Sequence, residues 1–482
     1  MLLSRRLATG LSAIVATTVV TAAVPLAGVA APAPADAAAA RDATSWLAGE
    51  FTDGTLPGPF GGQDWGLTID GIIAMSATSG SAPTRQAATG QVAAHVRSYN
   101  SYDDWGIEGF TDGGATAKLL YVASAAGADP TDFGGYDLRA VALSLLAGAD
   151  AGHQRGRITS RTTADSGPDA SNTFDQSFAV LGLARSGDLP QDTVDFLVRQ
   201  QCAAGGFRLY PDTADGPSPS CDEQPGATLD VDSTAMAVQA LLAAADSGAA
   251  GASDAARRGA DWLAGQQHAD GSFGGSGPTT GANSNSTGLA GQALAAAGRD
   301  SQAARAAQAV TQLQLTAANG GAAAGDAGAI AYHAESFTGA VSTGIADTDR
   351  DQWRRATAQA LLGLAQVPLG RIGLDLPPTS PTPTPTGTAT PTPTISPTPT
   401  VAPTPTVTGT AGPSPSATGS PATPSPTVSP TGTAAPSTTP AAPALPGLPT
   451  TGAAIIGYVL VALLLIGGGV VLLVLGRRRR AQ

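Results

Sequence analysis

The sequence predicts an all-helical domain in which one ring of helices lies inside another. Three observations predict it. First, a spacing recurs: Trp262-Leu263, Gln267, Gly271 and Phe273 are matched by Phe196-Leu197, Gln201, Gly205 and Phe207, and more loosely by Trp46-Leu47, Phe51, Gly54 and Leu56. A spacing repeated along a chain marks a structural unit that stacks on copies of itself. Second, six segments place a small hydroxyl residue ahead of an apolar run. They are Leu67-Thr68-Ile69, Ala115-Thr116-Ala117, Gln176-Ser177-Phe178, Ser233-Thr234-Ala235, Ser286-Thr287-Gly288 and Ala356-Thr357-Ala358. Their intervals, roughly 50 to 70 residues, suit two helices and their loops. Third, the runs that follow are apolar nearly all round, so each helix must be covered on two sides. An inner ring enclosed by an outer one supplies that cover. No period-two alternation is long enough for a sheet.

Taken in order, the chain opens on two arginines within Met1 to Arg6, an apolar run from Leu11 to Val29, and then small residues. That reads as a secretory signal peptide, residues 1–37, with cleavage expected after Ala37. Residues 38–376 form the folded domain. Its inner ring is expected at the six hydroxyl sites, and its outer ring to include Trp46 to Phe51, Asp192 to Gln201 and Ala255 to Gln267. The segments Val238 to Leu241 (V-Q-A-L) and Gly291 to Leu294 (G-Q-A-L) sit at one offset from their Thr. Ala, the best helix former, is common throughout. The turns Asp112-Gly113 and Asp270-Gly271 are expected at the ring's rim.

Residues 377–447 are mostly Pro, Thr, Ser, Ala and Gly. Such a stretch cannot bury enough surface to offset its ordering entropy, and its prolines favour an extended spacer. Leu448-Pro449-Thr450-Thr451-Gly452 follows, then a nearly unbroken apolar run over 453–475 and Arg477 to Arg480. The run is long enough to span a bilayer, and the arginines hold its end on the cytoplasmic side.

Two resemblances attach to these patterns. Arg258, Gly259, Trp262, Leu263, Gln267, Gly271 and Phe273 resemble the Gln-Trp repeat of squalene and oxidosqualene cyclases, with Phe in place of the final Trp. The resemblance implies the α/α toroid of the terpene cyclase and protein prenyltransferase superfamily (prenyltransferase/squalene oxidase repeats), a fold that hosts many activities. The segment 448–482 resembles the LPXTG cell-wall sorting signal of Gram-positive surface proteins. It implies that a sortase cuts between Thr451 and Gly452 and joins Thr451 to peptidoglycan.

Candidate chemistry is sparse. Asp230-Val231-Asp232-Ser233-Thr234-Ala235 resembles the D-x-D-D-T-A motif of class II terpene cyclases, which places Asp232 in the proton-donor slot. Ser233 replaces the last carboxyl of that cluster. The structural alternative makes Asp232 the N-cap of a helix starting at Ser233, with Asp175 and Asn285 capping two others. Cyclases also stabilise carbocations on aromatic faces, and aromatic residues make up only 5% of this chain. His95, His153, His268 and His333 show no metal-ligand spacing, and neither a metal nor a cofactor is expected. Cys202 and Cys221 are the only two cysteines, and in a secreted protein they are expected to pair. Cys221-Asp222-Glu223-Gln224 also resembles the C-G-E-Q thioester of complement-type toroids.

The net charge of −12 over 482 residues argues against nucleic acid as a partner. The expected partners are sortase, peptidoglycan and an extracellular ligand or protein at the toroid mouth. The expected function is display of a non-catalytic binding module on the cell wall. The alternatives are a terpene-cyclase-like enzyme with Asp232 as its acid and a thioester-bearing adhesin.

Overall fold

A computed structural model describes residues 34–213 and 216–376. The expected stalk and sorting signal lie outside these residues, as do residues 1–33 of the expected signal peptide; its last four residues, 34–37, fall in the first helix. Fourteen α-helices run in chain order among the described residues: α1 Pro34–Gly49, α2 Trp65–Ala77, α3 Ala82–Ala94, α4 Val96–Asn100, α5 Gly113–Ala125, α6 Leu138–Ser144, α7 Thr173–Ser186, α8 Gln191–Arg199, α9 Val231–Asp246, α10 Ala252–Gln266, α11 Ser284–Ala296, α12 Asp300–Gln312, α13 Ala334–Thr343 and α14 Arg350–Ala365. Among the described residues the strands are two residues long: Phe207–Arg208 pairs antiparallel with Leu229–Asp230, and Asp212–Thr213 with Gly216–Pro217.

Helices α2, α5, α7, α9, α11 and α14 pack side by side in that order, and α14 returns to α2, closing a ring. Each packs outward on a partner: α3, α6, α8, α10, α12 and, for α14, α1. The domain is therefore an α/α toroid, sealed by docking its first helix on its last. Burial follows the expected division. In α2, 11 of 13 residues are buried, whereas in α10 only six of 15 are, all on one face. All six hydroxyl segments lie in inner helices, and the three expected outer segments lie in α1, α8 and α10 with their following turns.

The repeated spacing now has a physical account. The Gln201 amide donates to the Gly205 carbonyl of its own turn and to the Ala255 carbonyl of the next outer helix, both at 2.9 Å. Gln267 repeats this on Gly271 and Gln302. Gln314, whose turn is lengthened and was not recognised in the sequence, does the same on Gly328 and Ala39, tying the last repeat to α1. Arg258 and Arg305 each donate to the Gln of the preceding repeat. Trp262 lies across Gly205 and Gly206, where a β-carbon on Gly206 would sit 2.7 Å from the indole. The inner-helix Thr completes the clamp: Thr234, Thr287, Thr357 and Thr68 accept the backbone N–H of Phe207, Phe273, Ile330 and Leu56. In α7 the Gln176 side chain takes this part, accepting from Ile158 N–H. Gln201→Ala would orphan two buried carbonyls, and urea unfolding should report a loss of about 2 kcal/mol.

The helix starts are shifted from expectation. Asp64, Asp112, Asn172, Asp230 and Asn283 are the N-caps, each accepting a first-turn N–H. Asp112-Gly113 is thus a cap and a first helical residue rather than a rim turn. Asp232, Asp175 and Asn285 all lie inside the first turns. The cap must precede the N–H it accepts by two or three residues, whereas the hydroxyls of Thr68, Thr234, Thr287 and Thr357 sit beyond the first turn and hold loops.

Cys202 and Cys221 form a disulfide with their Cα atoms 4.9 Å apart. It closes a loop around Arg208, which is 1% exposed and donates to Gln200, Gln224 and the Ser218 carbonyl. On the loop-entropy model such a bridge contributes about 3 kcal/mol. The thioester reading is corrected by the same geometry. The Cys221 sulfur is bonded to Cys202, and the Gln224 amide is engaged by Arg208 and by the Asp212 carbonyl.

Candidate functional site

The six inner helices run parallel, so their N-termini converge at one end of the ring and their C-termini at the other. The C-terminal end is closed by the chain itself. Residues 367–373 cross it after α14. Gln292 donates to the Val367 carbonyl at 2.6 Å, and the Gln239 side chain accepts from Leu369 N–H at 2.9 Å. Tyr121 Oη donates to the Leu369 carbonyl, and Arg185 to that of Gly370. Gly373 lies against the Ala125 carbonyl, where a β-carbon would come within 1.9 Å. The matched V-Q-A-L and G-Q-A-L segments thus hold this floor.

Tyr121 packs on Phe178, and Lys118 lies over the Phe178 ring while pairing with Asp70 at 2.6 Å. The opposite, N-terminal end of the inner helices is the mouth.

Gln239 and Gln292 also fix which helix faces look into the lumen. Asp232 and Asn285 lie seven residues earlier on α9 and α11, two helical turns up the same faces. Both therefore stand at the mouth, facing inward. The short strand ending at Asp230 delivers the chain to α9 and sets this register.

Asp230 has a full set of partners. It accepts from Ser233 N–H and Oγ, both at 2.6 Å, and from Ser276 Oγ at 2.7 Å. Asp232 does not: its Oδ1 is buried with no hydrogen-bond partner. Burial, then the charge of Asp230, pushes its carboxyl up to about 7, against a smaller opposing contribution from Ser286. Asn285 Oδ1 and Ser284 Oγ are buried and unpartnered as well. The sequence singled out Asp232 for a different reason and assigned Asn285 only to capping.

Two tyrosines border this group. Burial and then the charges of Asp175 and Asp230 raise the Tyr210 phenol, which is 38% exposed. Burial and the charge of Asp232 raise Tyr332, which is half-buried. Neither residue was visible as a site member in the sequence, because each sits in an irregular loop without a motif. The repeat aromatics Phe207 and Phe273, by contrast, are fully buried between the rings and line no part of the mouth.

Two cavities of 290 and 310 Å³ lie among the described residues, the second reaching His333 beside Tyr332. One is beside Gly205 and Trp262, the other between α13 and the start of α14, and neither is lined by Asp230 or Asp232. Among the described residues no three His, Cys, Asp or Glu side chains converge as metal ligands. None of the described helices is long and apolar enough to cross a membrane. The sorting residues Leu448 to Gly452 lie outside the described region.

Fold and site together define an α/α toroid with one closed end and one polar end. No family model matches the chain. No curated protein matches it in sequence. Among solved structures it is similar to a protein from Actinoplanes at 18% identity and a TM-score of 0.46, over 69% of this chain and 99% of that one. It is similar to an unsaturated glucuronyl hydrolase from a Bacillus species at 14% identity and 0.44, over 68% and 95%. It is also similar to a type II terpene cyclase from Scytonema, in complex with geranylgeranyl dihydroxybenzoate, at 15% identity and 0.43, over 70% and 97%.

Proposed function

We propose that this chain is a secreted surface protein, joined by sortase through Thr451 to peptidoglycan, that displays its toroid as a non-catalytic module binding an extracellular ligand at the mouth. The observation that carries the reading is the floor. The chain leaves the toroid through residues 367–373, at the end opposite the mouth. A tether attached there, the Pro- and Thr-rich 377–447, presents the mouth away from the wall. The signal peptide at 1–37 and the order of pentapeptide, apolar run 453–475 and arginines support the same route.

The test is fractionation of cells. Thr451→Ala is expected to move the protein from the covalent wall fraction to membrane or medium. If boiling detergent extracts the wild type from purified walls, covalent anchoring is wrong.

One observation favours a second reading, a terpene-cyclase-like enzyme. Asp232 has an unpartnered oxygen and a carboxyl pushed up to about 7, which suits a proton donor. Against it stand Ser233 in place of the last carboxyl of the motif and an aromatic content of only 5%, since such enzymes stabilise carbocations on aromatic faces. The purified protein is to be incubated with squalene-like and polyprenyl lipids and the products analysed by mass spectrometry. No cyclised product is expected. A product that disappears with Asp232→Asn would establish the enzyme instead.

A further inference from the structure

We infer that the cavity between α13 and the start of α14 binds an organic cation, an ammonium or guanidinium group carried on a short aliphatic stem. The inference rests on the reading of the toroid as a binding module. It adds a site at the mouth end, beside the first turn of α14, and the class of ligand that the site takes.

Helix α13 buries only Ala340 of its ten residues, so it stands off α14 and leaves a space of 310 Å³ between them. A cavity of about 150 Å³ already admits benzene, so a short carbon chain fits. The walls formed by Ala340, Ile345 and Trp353 are apolar, and Trp353 is 3% exposed. Glu335 and Asp349 also line the cavity, and both are exposed to solvent. An apolar recess with carboxylates at its edge suits a ligand whose stem enters and whose charged head stays near water.

Charge selects the head group. No Lys or Arg lines the cavity. The arginines of α14 are turned elsewhere: Arg350 and Arg354 hold Glu50, and Arg355 holds Asp351 and Asp64. His333 accepts the Ser336 N–H on Nδ1 at 3.0 Å, so that nitrogen brings no proton to face a cation. The start of a helix attracts anions, but the first turn of α14 already carries Asp349 and Asp351. The long-range field has the same sign. Six of the chain's arginines lie at its ends, Arg5, Arg6 and Arg477 to Arg480, so the folded domain is more acidic than the whole chain's −12. An anion finds no partner here, and an uncharged ligand gains nothing from the two carboxylates. A cation gains from both, and tryptophan is the side chain that attracts organic cations most strongly.

The experiment is nitrogen NMR of the purified full-length chain in neutral detergent, labelled only at tryptophan. Its five tryptophans give five indole signals, and Trp353→Phe identifies the one from the cavity. n-Butylguanidinium is expected to move that signal saturably and to leave the others in place. n-Butanol, the stem without the charge, and butyrate, the stem with the opposite charge, are expected to act at least tenfold more weakly. Two variants are expected to raise the half-saturating concentration at least tenfold. One combines Glu335→Gln with Asp349→Asn. The other is Gly339→Leu: Gly339 lines the cavity and a β-carbon there meets nothing within 4 Å, so leucine takes up space without displacing the helix. Gly265→Leu, on α10, is expected to change nothing. An acetylated and amidated Gly-Arg-Gly peptide separates two sources of the cation. Binding at least tenfold tighter than n-butylguanidinium assigns the site to an arginine side chain of a peptide, and binding no tighter assigns it to a free cation. Equal responses to n-butylguanidinium and n-butanol, or to butyrate, overturn the inference. So does a shift that survives both cavity variants, or no shift at all. None of these failures touches the anchoring proposal, which the wall fractionation tests separately.

Discussion

Gly288→Leu is expected to prevent the ring from closing properly. Helices α11 and α14 meet backbone to backbone: a β-carbon on Gly288 would lie 2.6 Å from Ala360 Cα, and one on Gly363 would lie 2.7 Å from Gly288 Cα. Four added carbons have no space there. Overpacking in an ordinary core costs about 1–3 kcal/mol, because neighbours can shift. In a closed ring a shift of one inner helix is passed to the next, so the upper end is expected. Thermal unfolding should show a midpoint lower by about 6 °C or more, or no soluble protein. Gly265→Leu is the control. Gly265 lies on α10 with nothing within 4 Å of its β-carbon position. There the substitution should be neutral or slightly stabilising, since leucine is the better helix former. Equal effects at the two positions would contradict the backbone contact.

Asp175→Asn is expected to make the protein more stable at alkaline pH. Asp175 is 4% exposed, stacked over Gly114, with Oδ2 accepting from Asn172 N–H and Oδ1 unpartnered. Burial, and then the charge of Asp112, pushes its carboxyl from 3.8 up to about 8. Its folded value therefore lies above its unfolded value. Between about pH 4 and pH 8 the folded protein keeps a proton that the unfolded chain has released, so stability falls as pH rises through this window. Below it the contribution is fully present; above it, fully lost. Asp232 adds a fall of the same sign that ends near pH 7. Asparagine keeps the acceptor for Asn172 but cannot ionise. Urea unfolding should show wild type and variant alike at pH 4, and the variant more stable at pH 8.5 by a few kcal/mol, on the order expected for a shift of this size. An unchanged slope with pH would show that Asp175 is an ordinary solvated carboxylate.

These residues also mark what was legible in the sequence. The double ring was, because apolar faces on both sides of a helix and a repeated Trp, Gln and Gly spacing are direct consequences of how the rings stack. The hydroxyls at Thr68, Thr234, Thr287 and Thr357 were found for the right helices, although their work is to hold loops and not to start helices. Gln314 has a longer turn than its counterparts, and the caps Asn172 and Asn283 lie more than a helical turn before the hydroxyls Ser177 and Thr287 rather than beside them. The floor was invisible: nothing in residues 367–373 signals that they cross the ring. So was the mouth as a site, since Asp232 and Asn285 share it only through the closure of the ring, and Tyr210 and Tyr332 arrive from loops.

The most direct test of the mouth is the titration of Asp232 itself, followed by carbon NMR of its side-chain carboxyl. If the group is buried beside Asp230 with one oxygen unpartnered, its midpoint lies near pH 7. A midpoint near pH 4, that of a carboxylate already solvated or satisfied, would contradict it.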